Sequence, residues 1–142
     1  MTRKDWTLLA LHYAGGTPLP PVKLQKALFL LGEQFGRKLG DYYTFVAHYY
    51  GPFDPNIYRD VESLVREGLA VAEAQPGRSW FQYYISPHGV REARRVQRQL
   101  PKDAVQYLKK VIQWILPLTF EQIVRTIYRY FPEYGKNSVF QS

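Results

Sequence analysis

Apolar residues recur at helical spacing through most of this chain, and three short β-prone runs interrupt them. Trp6, Leu9, Ala10 and Tyr13 share one face of a first helix over residues 5–14, which Gly15 and Gly16 end. Residues 17–21 are a stiff proline connector, with Pro21 placed to open a second helix over 21–35. Leu24, Ala27, Leu28, Leu31 and Phe35 form its stripe, and Gly36 is its expected cap. Residues 42–50 are aromatic and β-prone, and read as a short strand or an extended connector.

The third helix shows both of its ends. Asp54 is the expected N-cap, since its carboxylate can accept an orphan N–H of the first turn. Pro55 follows at the first helical position, where its missing N–H costs nothing. Ile57, Val61, Leu64 and Val65 give the apolar stripe, and Gly68 closes the helix at a position that needs positive φ. Tyr50-Gly51-Pro52-Phe53 is expected to be a sharp turn that aims this helix.

Residues 69–74 and 80–85 then read as two strands joined by a turn at 75–79 with Pro76-Gly77 at its tip. A fourth helix starts at Ser86 and runs to about Leu100, where Pro101 breaks it. A fifth covers 103–116, with Val105, Leu108, Val111, Ile112 and Ile115 apolar. Thr119 and Gln122 form a capping box for a last helix striped by Phe120, Ile123, Val124, Ile127, Tyr128 and Phe131. The pattern predicts one mainly α domain over 1–142, with a two- or three-stranded β element. A winged-helix-like core spans about 5–89, C-terminal helices cover 90–131, and 132–142 is an irregular tail. The apolar stripes of the C-terminal helices can pack on the core or pair with a second copy, and both bury the same face.

Composition narrows the function. Aromatics make up 16% of the chain, including 12 tyrosines and 8 phenylalanines, more than a core of this size needs. Some are therefore expected at the surface, where tyrosine is common at binding faces. Cysteine is absent, which excludes disulfides, thiolate metal sites and cysteine nucleophiles. The apolar stretch at 6–14 is short and carries His12, so no secretory signal is read there, and the expected location is cytoplasmic. His12, His48 and His88 lie far apart with no matching acidic pattern, and no phosphate-binding glycine loop occurs. No metal, cofactor or catalytic residue is expected, and the chain reads as a binding module rather than an enzyme.

The net charge of +7 favours an acidic partner. Residues 91–110 hold seven basic side chains against Glu92 and Asp103, whereas the third helix is mixed to acidic. A DNA-binding reading has Asn56, Arg59, Asp60, Ser63 and Glu67 on the exposed recognition face, Arg78 at the hairpin tip, and Lys23, Lys26, Arg37 and Lys38 touching phosphates from elsewhere. A protein-binding reading uses Tyr49, Phe53, Tyr58, Trp80 and Tyr83 as aromatic anchors.

Two segments carry a family resemblance. KLQKALFLL at residues 23–31 resembles the KLQKLLFLL helix of the SocA-like, or Panacea, antitoxin-type domains, and YGPFDPNIYRDVESL at 50–64 resembles their YGPFSPELYDDLEFL segment. Gly68-Leu69 with ISPHG at 85–89, and FPEY at 131–134, resemble their later motifs more loosely. The resemblance implies a small, mostly helical, non-catalytic domain encoded in toxin–antitoxin operons or beside phage genes. Some relatives neutralise a toxin or deliver it to a protease. A protein partner is thus the first expectation, with DNA as the alternative.

Overall fold

The computed structural model describes residues 2–135. In chain order it holds α1 (Arg3–Tyr13), α2 (Pro21–Phe35), β1 (Val46–His48), β2 (Gly51–Phe53), α3 (Asn56–Arg66), β3 (Ala70–Ala74), β4 (Phe81–Ile85), α4 (Pro87–Gln97), α5 (Lys102–Ile115) and α6 (Phe120–Tyr130). The protein is mainly α, with two small antiparallel strand pairs. Leu19 exchanges backbone hydrogen bonds with Tyr83, N to O at 2.9 Å and O to N at 3.1 Å. This adds a third extended segment beside β4, so α1, α2, α3 and the β3–β4 wing form a winged-helix-like core that the C-terminal helices cover.

α1 is the hub. It packs against α2, α3, α4 and α5, and Trp6 through Leu11 are all buried. The sequence pattern indicated a single stripe; enclosure by four neighbours buries Leu8 and Leu11 as well. α5 packs on α2 and α1 with Ala104, Leu108, Ile112 and Ile115 buried, and α6 buries Ile123, Val124 and Ile127. Both C-terminal apolar stripes are therefore covered within the chain.

The joint between α3 and α4 is built from local rules. Gly68, with φ +75°, ends α3: its N–H donates to Val65 O at 3.0 Å, and Leu69 N–H to Leu64 O at 2.9 Å. Ser86 then accepts from Gly89 N–H at 2.9 Å to cap α4, while its own hydroxyl donates to Gly68 O at 2.6 Å. The Thr119–Gln122 capping box forms as the spacing predicts, with reciprocal bonds of 2.8 and 3.1 Å.

Two expectations are corrected. Tyr50-Gly51-Pro52-Phe53 is not a free-standing turn. Gly51, Pro52 and Phe53 form β2 and pair with His48, Ala47 and Val46 of β1, so only Tyr49 and Tyr50 make the bend. A strand proline is tolerated there because the ribbon has two strands and both are edges. The tail is also not irregular throughout. Pro132–Tyr134 is a 3₁₀ turn, and Phe131 and Tyr134 pack edge-on against Phe29, with centroids 5.0 and 4.8 Å away. Residues 136–142 of the expected tail lie outside the described residues.

Candidate functional site

The inserted β1–β2 hairpin is fastened to α2 by two side chains of the KLQK segment. Gln25 bonds both backbone groups of Asp54, and the Lys26 amine donates to Pro52 O at 3.0 Å. The Asp54 carboxylate accepts from Asn56 N–H at 2.9 Å, as the cap reading requires, and from Thr44 N–H at 2.8 Å. It thus starts α3 and also holds the chain leading into β1. A side chain at Gly51 would meet Tyr128 of α6 at 3.4 Å and the Lys26 stem at 3.5 Å.

Between α2 and this hairpin is a cavity of about 230 Å³ lined by Val22, Gln25, Lys26, His48, Gly51, Phe53, Tyr50 and Tyr58. His48 stacks on Phe53 at 4.7 Å and tilts against Tyr49 at 4.9 Å; Phe53 meets Tyr58 at 5.9 Å. Two of the proposed aromatic anchors, Tyr49 and Phe53, therefore contact one histidine, and Tyr58 joins them through Phe53. Tyr49 is 58% exposed, while Phe53 and Tyr58 are half-buried. Burial raises the Tyr58 phenol above its usual pKa.

Lys26 is the functional group that the sequence reading placed wrongly. It is 2% exposed and lines the cavity instead of the outer surface, so it does not lie where a phosphate backbone would run. Burial alone brings its pKa down to about 7. Its position carried a signal: Val22 and Phe29 flank it at i−4 and i+3, making a second apolar stripe on α2. His48, Tyr50 and Gln25 were also missed. Their roles depend on the hairpin folding back over α2, which no local spacing announces.

The other candidates divide. Tyr83 is 7% exposed and belongs to the core, where burial pushes its pKa up to about 12. It is not an exposed anchor: its ring is buried, with Tyr58 and Glu62 of α3 close enough to raise its pKa further. Trp80 is 39% exposed at the turn end of the wing, with the Arg78 guanidinium 5.7 Å above its ring. Lys23 is half-buried and donates to Leu116 O, joining α2 to the end of α5. Arg59 is exposed and donates to Asn56 Oδ1 at 3.0 Å.

Two acidic side chains, Asp60 on α3 and Glu67 at its end, are engaged by α1. Asp60 accepts from Arg3 Nε at 3.0 Å and from the Tyr43 hydroxyl at 2.6 Å, and Glu67 pairs with Lys4 at 3.0 Å. Burial and the Asp60 bond hold the Tyr43 phenol far above its usual pKa. The recognition face is thereby close to neutral rather than basic. Positive charge collects elsewhere: burial first, then Arg94 of α4 and Lys109 of α5, lower the pKa of His12 on α1. Among the described residues no group of three or more histidines and acids converges as a metal site, and no helix is long and apolar enough to cross a membrane. No protein-family model matches the chain, and no curated protein matches it.

Proposed function

We propose that this chain is a non-catalytic recognition module of the SocA-like antitoxin kind, and that it binds a protein partner in the cytoplasm. The β1–β2 hairpin carries this reading. It holds Tyr49, Tyr50 and Val46 at the surface beside a cavity walled by Phe53 and Tyr58. Rigid aromatics around a pocket are the composition of an interface hot spot. The α3 face supports the same reading, because Arg3 and Lys4 neutralise acids there instead of facing a phosphate backbone. The test is capture of the protein encoded by the adjacent gene. Tyr49→Ala is expected to weaken it by at least ~2 kcal/mol, roughly thirtyfold, with an unchanged melt. Undiminished capture by a folded Tyr49→Ala protein counts against the proposal.

A second reading is DNA contact, favoured by the basic residues of 91–110 and by their convergence with His12. Such binding is expected to be weak, sequence-tolerant and steeply salt-dependent, since it would run through phosphates. Fluorescence anisotropy on random duplexes at two salt concentrations measures it. A nanomolar, sequence-selective complex abolished by Arg59→Ala would put DNA ahead of protein.

A further inference from the structure

The Lys26 amine is buried without a counter-charge among the described residues: no carboxylate there lies within ion-pair distance of it. Asp54, close by in the hairpin, has its carboxylate committed to the N–H groups of Thr44 and Asn56. Among the described residues the amine makes one hydrogen bond, to Pro52 O, which leaves two of the three N–H groups of its ammonium form unused there. A buried charge is costly unless it is paired, and a buried lysine that only bridged α2 to the hairpin would be served as well by a neutral donor. Lys26 also lines the cavity, where the other polar side chains are rim or backbone-committed groups and the walls are Val22, Phe53 and Tyr58.

We propose that this cavity is the anchor site for a glutamate side chain of an acidic protein partner, with its carboxylate on the Lys26 ammonium and its methylenes between Val22, Phe53 and Tyr58. Three observations select that occupant. At about 230 Å³ the cavity is smaller than the ~300–1,000 Å³ of drug-sized ligand sites and has room for about one side chain. Its apolar walls with a single cation match an apolar stem that ends in one carboxylate. A chain-terminal carboxylate would instead bring its own peptide group against those walls, where it would go unpaired. The net charge of +7 steers an acidic partner to the surface in the first place. The proposal rests on the protein-binding reading and specifies the chemistry of the partner.

The test uses the full chain with its lysines ¹³C-labelled at Cε and three small probes. Propionate, the glutamate side-chain analogue, is expected to shift the Lys26 signal saturably and raise its titration point. Propionamide, of the same shape without charge, is expected to bind at least about tenfold more weakly, the loss of a charge-assisted bond. The capped peptide acetyl-Ala-Glu-Ala-amide should reproduce the shift, and acetyl-Ala-Ala-Ala with a free carboxylate should not. Lys26→Met identifies the responding signal by its loss, and no other lysine signal should then shift saturably. If that variant fails to fold, the acid-against-amide comparison on the unaltered chain decides. Equal responses to propionate and propionamide, no saturable response, or preference for the free chain terminus would each overturn the proposal. A missing carboxylate response with Tyr49→Ala still weakening capture removes the anchor alone. Capture indifferent to Tyr49→Ala removes the protein-binding reading, and the glutamate assignment with it, even where propionate binds.

Discussion

Gln25 brackets the backbone of Asp54: its Nε2 donates to the Asp54 carbonyl at 2.9 Å, and its Oε1 accepts from the Asp54 N–H at 3.0 Å. The side-chain amide therefore acts as one rung of a strand partner in a place where no strand runs. Both groups are buried, so each would otherwise be an orphan. The pair sets where α3 begins relative to α2, and it closes one side of the cavity.

Gln25→Ala should accordingly destabilise the protein by at least ~1–3 kcal/mol, since it leaves a buried N–H and C=O of Asp54 unpaired. Asp54→Ala should cost about 0.5–2 kcal/mol through the lost cap, with a further loss from Thr44 N–H. Urea denaturation of both variants checks this. Midpoints equal to that of the unaltered chain would mean the clasp contributes nothing.

Lys26 makes stability depend on pH. Its folded pKa of about 7 lies below the unfolded value of 10.5, so between these values the unfolded chain binds more protons. Stability should rise as pH climbs from about 7 to about 9, by at most ~1.4 kcal/mol per pH unit, and be lost as pH falls back through 7. Tyrosines ionise in the unfolded chain only near pH 10, above this window. Lys26→Met should flatten the rise. Denaturation at pH 7 and pH 9 on both proteins measures the difference, and parallel curves would remove the effect from Lys26.

Gly68 and Gly89 should respond differently to alanine. Gly68 has φ +75° with open space around it, so Gly68→Ala pays backbone strain only, ~1–2 kcal/mol. A Cβ on Gly89 would lie 2.0 Å from Leu69 O, a backbone atom that cannot rotate away. Gly89→Ala should exceed the ~1–3 kcal/mol of ordinary overpacking, because α4 must move off the base of the wing. Thermal melts that rank the two in the reverse order would refute the packing account.

Trp80 and Tyr83 are three residues apart on the wing and should separate cleanly. Trp80→Ala removes a partly exposed ring at the tip and should barely change the melt. Tyr83→Ala empties a core position and should cost about 3–5 kcal/mol, the usual range for a large buried aromatic. Equal melting temperatures for the two variants would contradict the burial assigned to Tyr83.

What the sequence determined by itself was local. The Asp54 cap, the Gly68 terminus, the Thr119–Gln122 box and the helical stripe of α2 are each settled within about one turn of chain, where neighbouring side chains and backbone groups must satisfy one another. Tertiary structure decided what lies across the long separations. Lys26 looks like a surface cation until Pro52, 26 residues later, folds over it as part of β2. Tyr83 looks like its exposed neighbours until α3, with Tyr58 and Glu62, comes to lie beside its ring. α1 looks one-sided until four helices surround it. In each case the side chain has the same local propensity in either setting. Its burial is set by which distant segment comes to rest on it, and the period of its own helix or strand carries no record of that.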